Sequence, residues 1–251
     1  MRHLIIPDPH STPGKSNRRA EWAGKLILDR RPDVVIVLGD VADMGSLCSY
    51  DKGKKSFIGR TYAKDIECHG DFQERLWGTV RKGKRKMPRR VALIGNHEQR
   101  IDRAIEVQSE LEGIIGYKDL ALNHFYDEVV HYEGSTPGSI DINGVTYAHY
   151  LVSGVSCRPI GGDNSARAIL NKKHSSCVVG HSHMFDHSVS TRQNGKKIMA
   201  LSAGCYQEHA SSFAGEANRL WWRGVTELNN VDNGTYDINT FSLEHLRKEY
   251  S

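Results

Sequence analysis

VVIVLGDVAD, residues 34–43, sets the architecture of this chain. Five aliphatic residues, Val34 to Leu38, follow Pro32 and stop at Gly39-Asp40. A short run that is apolar on both faces and bounded by turn residues predicts a strand buried on both sides. Upstream, His3–Pro7 has the same character. Between the two, Ser16 or Asn17 is placed to cap a helix through about Leu28, with Ala20, Ala23, Leu26 and Ile27 as its apolar stripe. Val91–Ile94 supplies a third run, ending at Gly95-Asn96. Strand, helix and strand within about thirty residues form a βαβ unit, with parallel strands and a right-handed crossover.

The second half reads as hairpins. Ile140–Ile142 and Val145–His149 flank Asn143-Gly144, a strong two-residue turn signal. Asp186–Thr191 and Lys196–Leu201 flank Gln193-Asn194-Gly195. Gly224–Asn229 and Thr235–Ile238 flank Asp232-Asn233-Gly234. Cys177–Val179 is a short strand, and Ser242 is placed to cap a terminal helix to Tyr250. With no internal repeat and no low-complexity linker, residues 1–251 read as a single α/β domain. Residues 44–90 and 102–135 read as excursions from its core.

Of 251 residues, 38% are hydrophobic and 25% charged, the balance of a globular protein with a substantial core. No window approaches the roughly 18 uninterrupted apolar residues a membrane span needs, so no membrane partner is expected. Leu4–Ile6 is too short for the hydrophobic region of a signal peptide. The cysteines Cys48, Cys68, Cys157, Cys177 and Cys205 are odd in number and contain no C-x-x-C pair. That argues against a disulfide framework and for a reducing, cytoplasmic setting. Charge is uneven: residues 51–90 hold 13 Lys/Arg against 5 Asp/Glu. Within 81–90 (RKGKRKMPRR) no residue is acidic, which reads either as a solvated loop or as a patch that attracts polyanions.

Each strand end carries chemistry. The first ends Pro7-Asp8-Pro9-His10, the second Gly39-Asp40-Val41-Ala42-Asp43 and the third Gly95-Asn96-His97-Glu98. The hairpin strand ends at His149, and the strand at 177–179 ends Gly180-His181-Ser182-His183. Ligands of open α/β sheets bind beyond the carboxyl ends of strands, so these carboxylates and imidazoles are placed to meet. Singly, each has a bland reading as a turn residue or a surface imidazole; their joint order is far more specific. His3, His69, His124, His131, His174, His187, His209 and His245 stand outside it.

The ordered set D-x-H, G-D-x-x-D, G-N-H-E, H, G-H-x-H resembles the calcineurin-like metallophosphoesterase superfamily, over roughly residues 3–205. The resemblance implies a four-layer αββα sandwich of two mixed sheets flanked by helices. It also implies two divalent metal ions. Asp8, His10 and His183 would hold the first, Asn96, His149 and His181 the second, and Asp40 would bridge them. His97 would face the substrate as general acid, oriented by Asp43. Two divalent cations opposed by only two carboxylates leave a centre of net positive charge, which suits a phosphoester. Imidazole with carboxylate suits manganese first, with iron, zinc, nickel or magnesium as alternatives. A metal-bound hydroxide would attack phosphorus in line, and His97 would protonate the leaving alkoxide.

The substrate reads less directly. In the protein-phosphatase branch an Arg follows the second motif's last Asp; here that position is Met44, and a thioether cannot make a bidentate phosphate contact. Arg100 is either a substrate contact or a structural brace for Glu98 or a nearby helix. The basic excursion, with Lys82, Lys84, Arg85 and Lys86 and the aromatics Tyr50, Phe57, Tyr62, Phe72 and Trp77, favours nucleic acid as substrate. The aromatics have the alternative of forming a small core of their own. Ser202-Ala203-Gly204-Cys205-Tyr206 follows a strand, and Tyr206 or Gln207 is a candidate to line the pocket. The chain as a whole also resembles small phosphoesterases encoded by bacteriophages, some of them nuclease-like, which would place it in the host cytoplasm. A phosphodiesterase or nuclease is thus the leading expectation. A small-nucleotide phosphodiesterase or phosphatase is the alternative, and a catalytically silent scaffold comes third.

Overall fold

Alternate side chains of the first strands enter two different cores. Leu4, Ile6, Val35 and Val37 pack on one side of the sheet, while Ile5, Val34 and Ile36 pack on the other. That is the period-two geometry of a strand covered on both faces. The computed structural model describes residues 1–251, apart from the side chains of residues 212 and 213.

The first half runs β1 (His3–Ile6), α1 (Arg18–Arg30), β2 (Val34–Val37), α2 (Tyr62–Lys82), β3 (Arg89–Leu93), α3 (Arg100–Val107), α4 (Leu122–Phe125) and β4 (Glu128–Val130). Next come β5 (Ser139–Ile142), β6 (Val145–Ala148), the short pair β7 (Val152–Ser153) and β8 (Arg158–Pro159), and α5 (Ser165–Lys173). The chain closes with β9 (Ser176–Val179), β10 (Phe185–Thr191), β11 (Lys197–Ala203), β12 (Gly224–Asp232), β13 (Thr235–Ser242) and α6 (Leu243–Tyr250). One sheet is ordered β13-β12-β1-β2-β3-β4 and the other β10-β11-β9-β6-β5. In the first, β1 through β4 are parallel; in the second, β9 lies parallel to both β6 and β11. Helices α1, α2 and α6 cover the outer face of the first sheet, and α5 that of the second. The result is the expected αββα sandwich of mixed sheets. Between the sheets, Ile5, Ile36 and Leu93 meet Tyr147, Val178 and Leu201, and His3 Nδ1 lies 2.7 Å from the Tyr147 hydroxyl. Among the described residues, no helix is long and apolar enough to cross a membrane.

Two elements depart from expectation. Residues 62–82, read as part of an excursion, form the helix that links β2 to β3, and Phe72, Leu76 and Trp77 are fully buried against α1. These two aromatics are therefore core residues and not a base-stacking platform. The periodicity is masked because the inward stripe of α2 contains Asp65, His69 and Gln73, polar residues that are themselves buried. Strand β4 lies inside the second excursion; it is only Glu128-Val129-Val130, too short for a periodic signal.

The placement of α2 also moves the basic run. Thr61 caps its start, where Arg60, Thr61 and Lys64 line the cavity described below, and Lys82 ends it. Lys84, Arg85 and Lys86 then lie in the turn entering the amino end of β3, where Gly83 packs on Leu28 near the end of α1. A helix of 21 residues is about 30 Å long. Lys82, Lys84, Arg85 and Lys86 thus sit at the end of the sheet away from the strand carboxyl ends. As contacts to a phosphoester bound there, they are corrected.

His69 ties α2 to the second excursion: its Nε2 lies 3.2 Å from the Leu120 carbonyl, while Nδ1 is buried without a partner. Burial pushes its pKa down to about 4. Between that value and the ordinary one near 6.5 the unfolded chain binds more protons, so stability is lost as pH falls through this window. His69→Gln keeps an N–H for Leu120 and does not titrate. Denaturant titrations from pH 7 to pH 4 are expected to show a shallower loss for this variant, by about 1 kcal/mol per pH unit in the steepest part; identical slopes would exclude His69 as a source.

Candidate metal centre

The carboxyl ends of β1, β2, β3, β6 and β9 deliver Asp8 and His10, Asp40, Asn96 and His97, His149, and His181 and His183 to one place. The Asp40 carboxylate is its hub. Its Oδ2 lies 3.4 Å from His149 Nε2, 3.8 Å from His10 Nε2 and 3.9 Å from His97 Nε2. On one side, His10 Nε2 and His183 Nε2 are 3.1 Å apart, with Asp8 Oδ2 3.6 Å from His183 Nε2. On the other, Asn96 Oδ1 is 2.9 Å from His149 Nε2 and 2.7 Å from His181 Nδ1. Two groups have donor atoms all within 4.8 Å of one another, His10–Asp40–His97 and Asp40–His149–His181. Asp40 is common to both, the position of a bridging ligand.

The backbone is bent to achieve this. Asp8, His10, Asp40, His181 and His183 all have φ between 40° and 66°, a region that costs non-glycine residues of order 1 kcal/mol each. Such conformers persist only where surrounding contacts over-determine them. Glu98 is one such contact: its buried carboxylate accepts from the amides of Asp40 (2.9 Å), Ala42 (2.8 Å) and Gly95 (2.9 Å). Asp40 Oδ1 in turn accepts from the His97 amide at 2.8 Å, and Asp8 Oδ2 from the His181 amide at 2.5 Å. Beneath the first loop, Arg19 is fully buried with no carboxylate partner. It donates to the carbonyls of Pro9 (2.6 Å), Ser16 (2.7 Å) and Tyr206 (2.9 Å). Sequence reading missed Arg19, because a basic residue beside the stripe of α1 ordinarily faces solvent.

The donor set fits cations. Among the described residues the buried Asp8 Oδ1 has no hydrogen-bond partner, and burial pushes the Asp8 carboxyl well above the usual range. An isolated buried anion is costly unless a cation compensates it. Burial also lowers the pKa of His10, of His181 to about 4, and of His183 well below the ordinary value, leaving ring lone pairs free to coordinate. Burial opposes charge on His149 too, but Asp40 and Asp8 outweigh it and hold its pKa up at about 9. Asp8, His10 and His183 with Asp40 would hold one ion; Asn96, His149 and His181 with Asp40 the other.

His97 faces the open side. Its Nδ1 is 2.8 Å from the Asp43 carbonyl and 3.1 Å from Asp43 Oδ1, while Arg100 Nη2 lies 3.1 Å from its Nε2. Burial disfavours its charged form, but Asp40 and Asp43 together raise its pKa. Arg100 also donates to the Asp43 carbonyl at 2.8 Å; it braces the loop of Asp43 rather than Glu98, and lines the cavity beside His97. That cavity, about 880 Å³, extends from Asp43, His97 and Arg100 to Lys15, Arg60 and Lys64. Tyr206 does not line it: the ring is fully buried in the core under α1 and α2, and its hydroxyl donates to the Arg19 carbonyl at 2.7 Å. Met44, at the position of the phosphatase-branch Arg, is likewise fully buried.

Gly95 leaves the room that Asp40 occupies, since a Cβ there would collide with the Asp40 amide and Oδ1. Gly95→Ala is expected to displace the carboxylate, with bound metal falling below two equivalents by elemental analysis and activity falling about 100-fold. An unaltered metal content in the folded variant would show that this contact does not position Asp40.

A family model described as calcineurin-like phosphoesterase matches residues 1–224. No curated protein matches. One solved crystal structure aligns over 96% of this chain and 99% of its own at 10% identity, with a TM-score of 0.41. The match of the family model, covering the whole ligand set from Asp8 to His183, establishes that this chain belongs to the calcineurin-like phosphoesterases and is a metal-dependent phosphoester hydrolase.

Proposed function

We propose that this hydrolase is a two-metal phosphodiesterase acting on nucleic acid, with manganese its preferred metal. The observation that carries the reading is the cavity of about 880 Å³, which opens from His97 and Arg100 onto further cationic side chains. A pocket at the upper end of the usual ~300–1,000 Å³ range has room for the groups on both sides of a diester. Two divalent cations held by the Asp40-centred donors supply Lewis-acid stabilisation of the phosphoryl oxygens and lower the pKa of a water. The chain's own residues supply the rest. His97 is oriented through Nδ1 by Asp43; its Nε2, which accepts from Arg100 at 3.1 Å, serves as proton donor to the leaving oxygen once it is protonated and Arg100 turns to the substrate. Asp43, held well below the usual carboxylate range by His10 and His97 despite its burial, stays anionic and supports the charged imidazole. Arg100 adds positive charge beside the leaving group and fixes the Asp43 loop.

A small-nucleotide phosphodiesterase or phosphatase is the second reading. It is favoured by the location of the 82–86 cations at the far end of α2, which removes the longest basic run from the mouth of the site.

Asp40→Asn is expected to abolish metal retention and hydrolysis together, read by metal analysis and by bis-nitrophenyl phosphate turnover. His97→Ala is expected to retain metal while lowering kcat on oligonucleotides by about 10²–10⁴, and much less on nitrophenyl esters, whose leaving group needs no proton. Equal losses on both would remove His97 from the proton-donor role. In a panel of manganese-loaded assays, DNA and RNA strands are expected to be cleaved; hydrolysis confined to mononucleotides and cyclic nucleotides would decide for the second reading.

A further inference from the structure

The cavity that opens from His97 and Arg100 is lined further along by Lys15, Lys54, Arg60 and Lys64 and by the carboxylates of Asp51 and Asp65. Residues 45–61, between β2 and α2, fold as three short 3-10 turns braced by Arg60. Its Nη1 donates to the Gly45 carbonyl at 3.2 Å and to Asp51 Oδ2 at 2.9 Å, and its guanidinium lies over the Phe57 ring. Asp51 also pairs with Lys54 at 3.1 Å, so Arg60, Lys54 and Asp51 form one partly neutralised cluster that holds the wall in shape. Lys15, in the loop between β1 and α1, and Lys64, in the first turn of α2, border the same cavity from two sides. Among the described residues neither has a carboxylate within salt-bridge distance; the Lys64 ammonium reaches only the Gly59 carbonyl, at 3.4 Å. A cation in the first turn of a helix opposes the helix dipole, at about 0.3–1 kcal/mol. Asp65, in the same turn, also lines the cavity, but its carboxylate accepts from the Ser46 amide. An anion bound beside Lys64 relieves the cost.

We propose that Lys15 and Lys64 form a second phosphate subsite, which takes the phosphate next to the scissile one in the same substrate. The inference rests on the phosphodiesterase reading and refines it: the enzyme acts on substrates carrying at least two phosphates, of which only one meets the metal centre. The second phosphate belongs to the next nucleotide of a strand, on the far side of a sugar. A diphosphate offers the same chemistry at shorter reach.

The test uses the manganese-loaded protein and three ligands: thymidine 5′-monophosphate, thymidine 3′,5′-bisphosphate and thymidine 5′-diphosphate. Affinity is read by calorimetry and by inhibition of bis-nitrophenyl phosphate hydrolysis. The bisphosphate is expected to bind about 10-fold more tightly than the monophosphate. In Lys15→Ala/Lys64→Ala that advantage is expected to vanish while the folded variant still retains two equivalents of manganese by elemental analysis. An advantage shown by the diphosphate alone, and lost in the double variant, keeps the subsite and assigns it to diphosphates. An advantage that persists in the folded double variant, or is absent from the parent protein, overturns it. If the parent protein hydrolyses no phosphodiester, the functional reading fails, and the calorimetric comparison still decides the subsite.

Discussion

Everything in this site depends on a buried carboxylate that cannot be left alone. Asp40 is nearly inaccessible to solvent, and within 4 Å of its Oδ2 stand nitrogens from three imidazoles carried by three different strands. Removing an anion from water costs several kcal/mol unless charge or hydrogen bonds compensate. Here the compensation comes from the His97 amide, from the surrounding rings and from the cations the donor set fits. The fold is arranged around that requirement. Parallel strands put their carboxyl ends on one edge of each sheet, and face-to-face packing brings the two edges together. His149 and His181, from the second sheet, can therefore meet Asp40 and Asn96 from the first.

Much of this was legible because the ligands follow strands so short and apolar that their ends are unambiguous. Val34–Val37 and Ser176–Val179 are fully buried, and the chain turns outward immediately after each. The hairpin at Asn143-Gly144 was readable for a similar local reason: both residues sit at positive φ, which this dipeptide adopts readily. What escaped reading was tertiary. Helix α2 hid behind three inward polar residues, which are tolerated because Asp65 accepts from the Ser46 amide, His69 meets the Leu120 carbonyl and Gln73 accepts from the Tyr126 hydroxyl. The basic run was read as a solvated loop or a patch for polyanions, within an excursion that leaves the core just after Asp40. A straight helix carried it to the other end of the molecule, and one-dimensional distance gives no warning of that. Arg19 and Tyr206 exchange hydrogen bonds across 187 residues of chain, a pairing that no spacing rule foretells.

The same geometry redistributes the positive charge. Lys15 and Lys64 lie 49 residues apart in the sequence and gain significance because a loop and a helix start converge on one cavity. The denser cluster at 82–86 sits where α1 and α2 end, and cations there complement the negative poles of both helices.

Glu98 has an implication for how the centre is filled and emptied. Because its one carboxylate grips amides on both sides of the hub, from Asp40 and Ala42 in one loop and Gly95 in another, the spacing of those loops is set by protein alone. Ions arriving there find a mould already cast; exchange of one metal for another asks for little main-chain movement, and selectivity among metals then falls to supply and to donor chemistry.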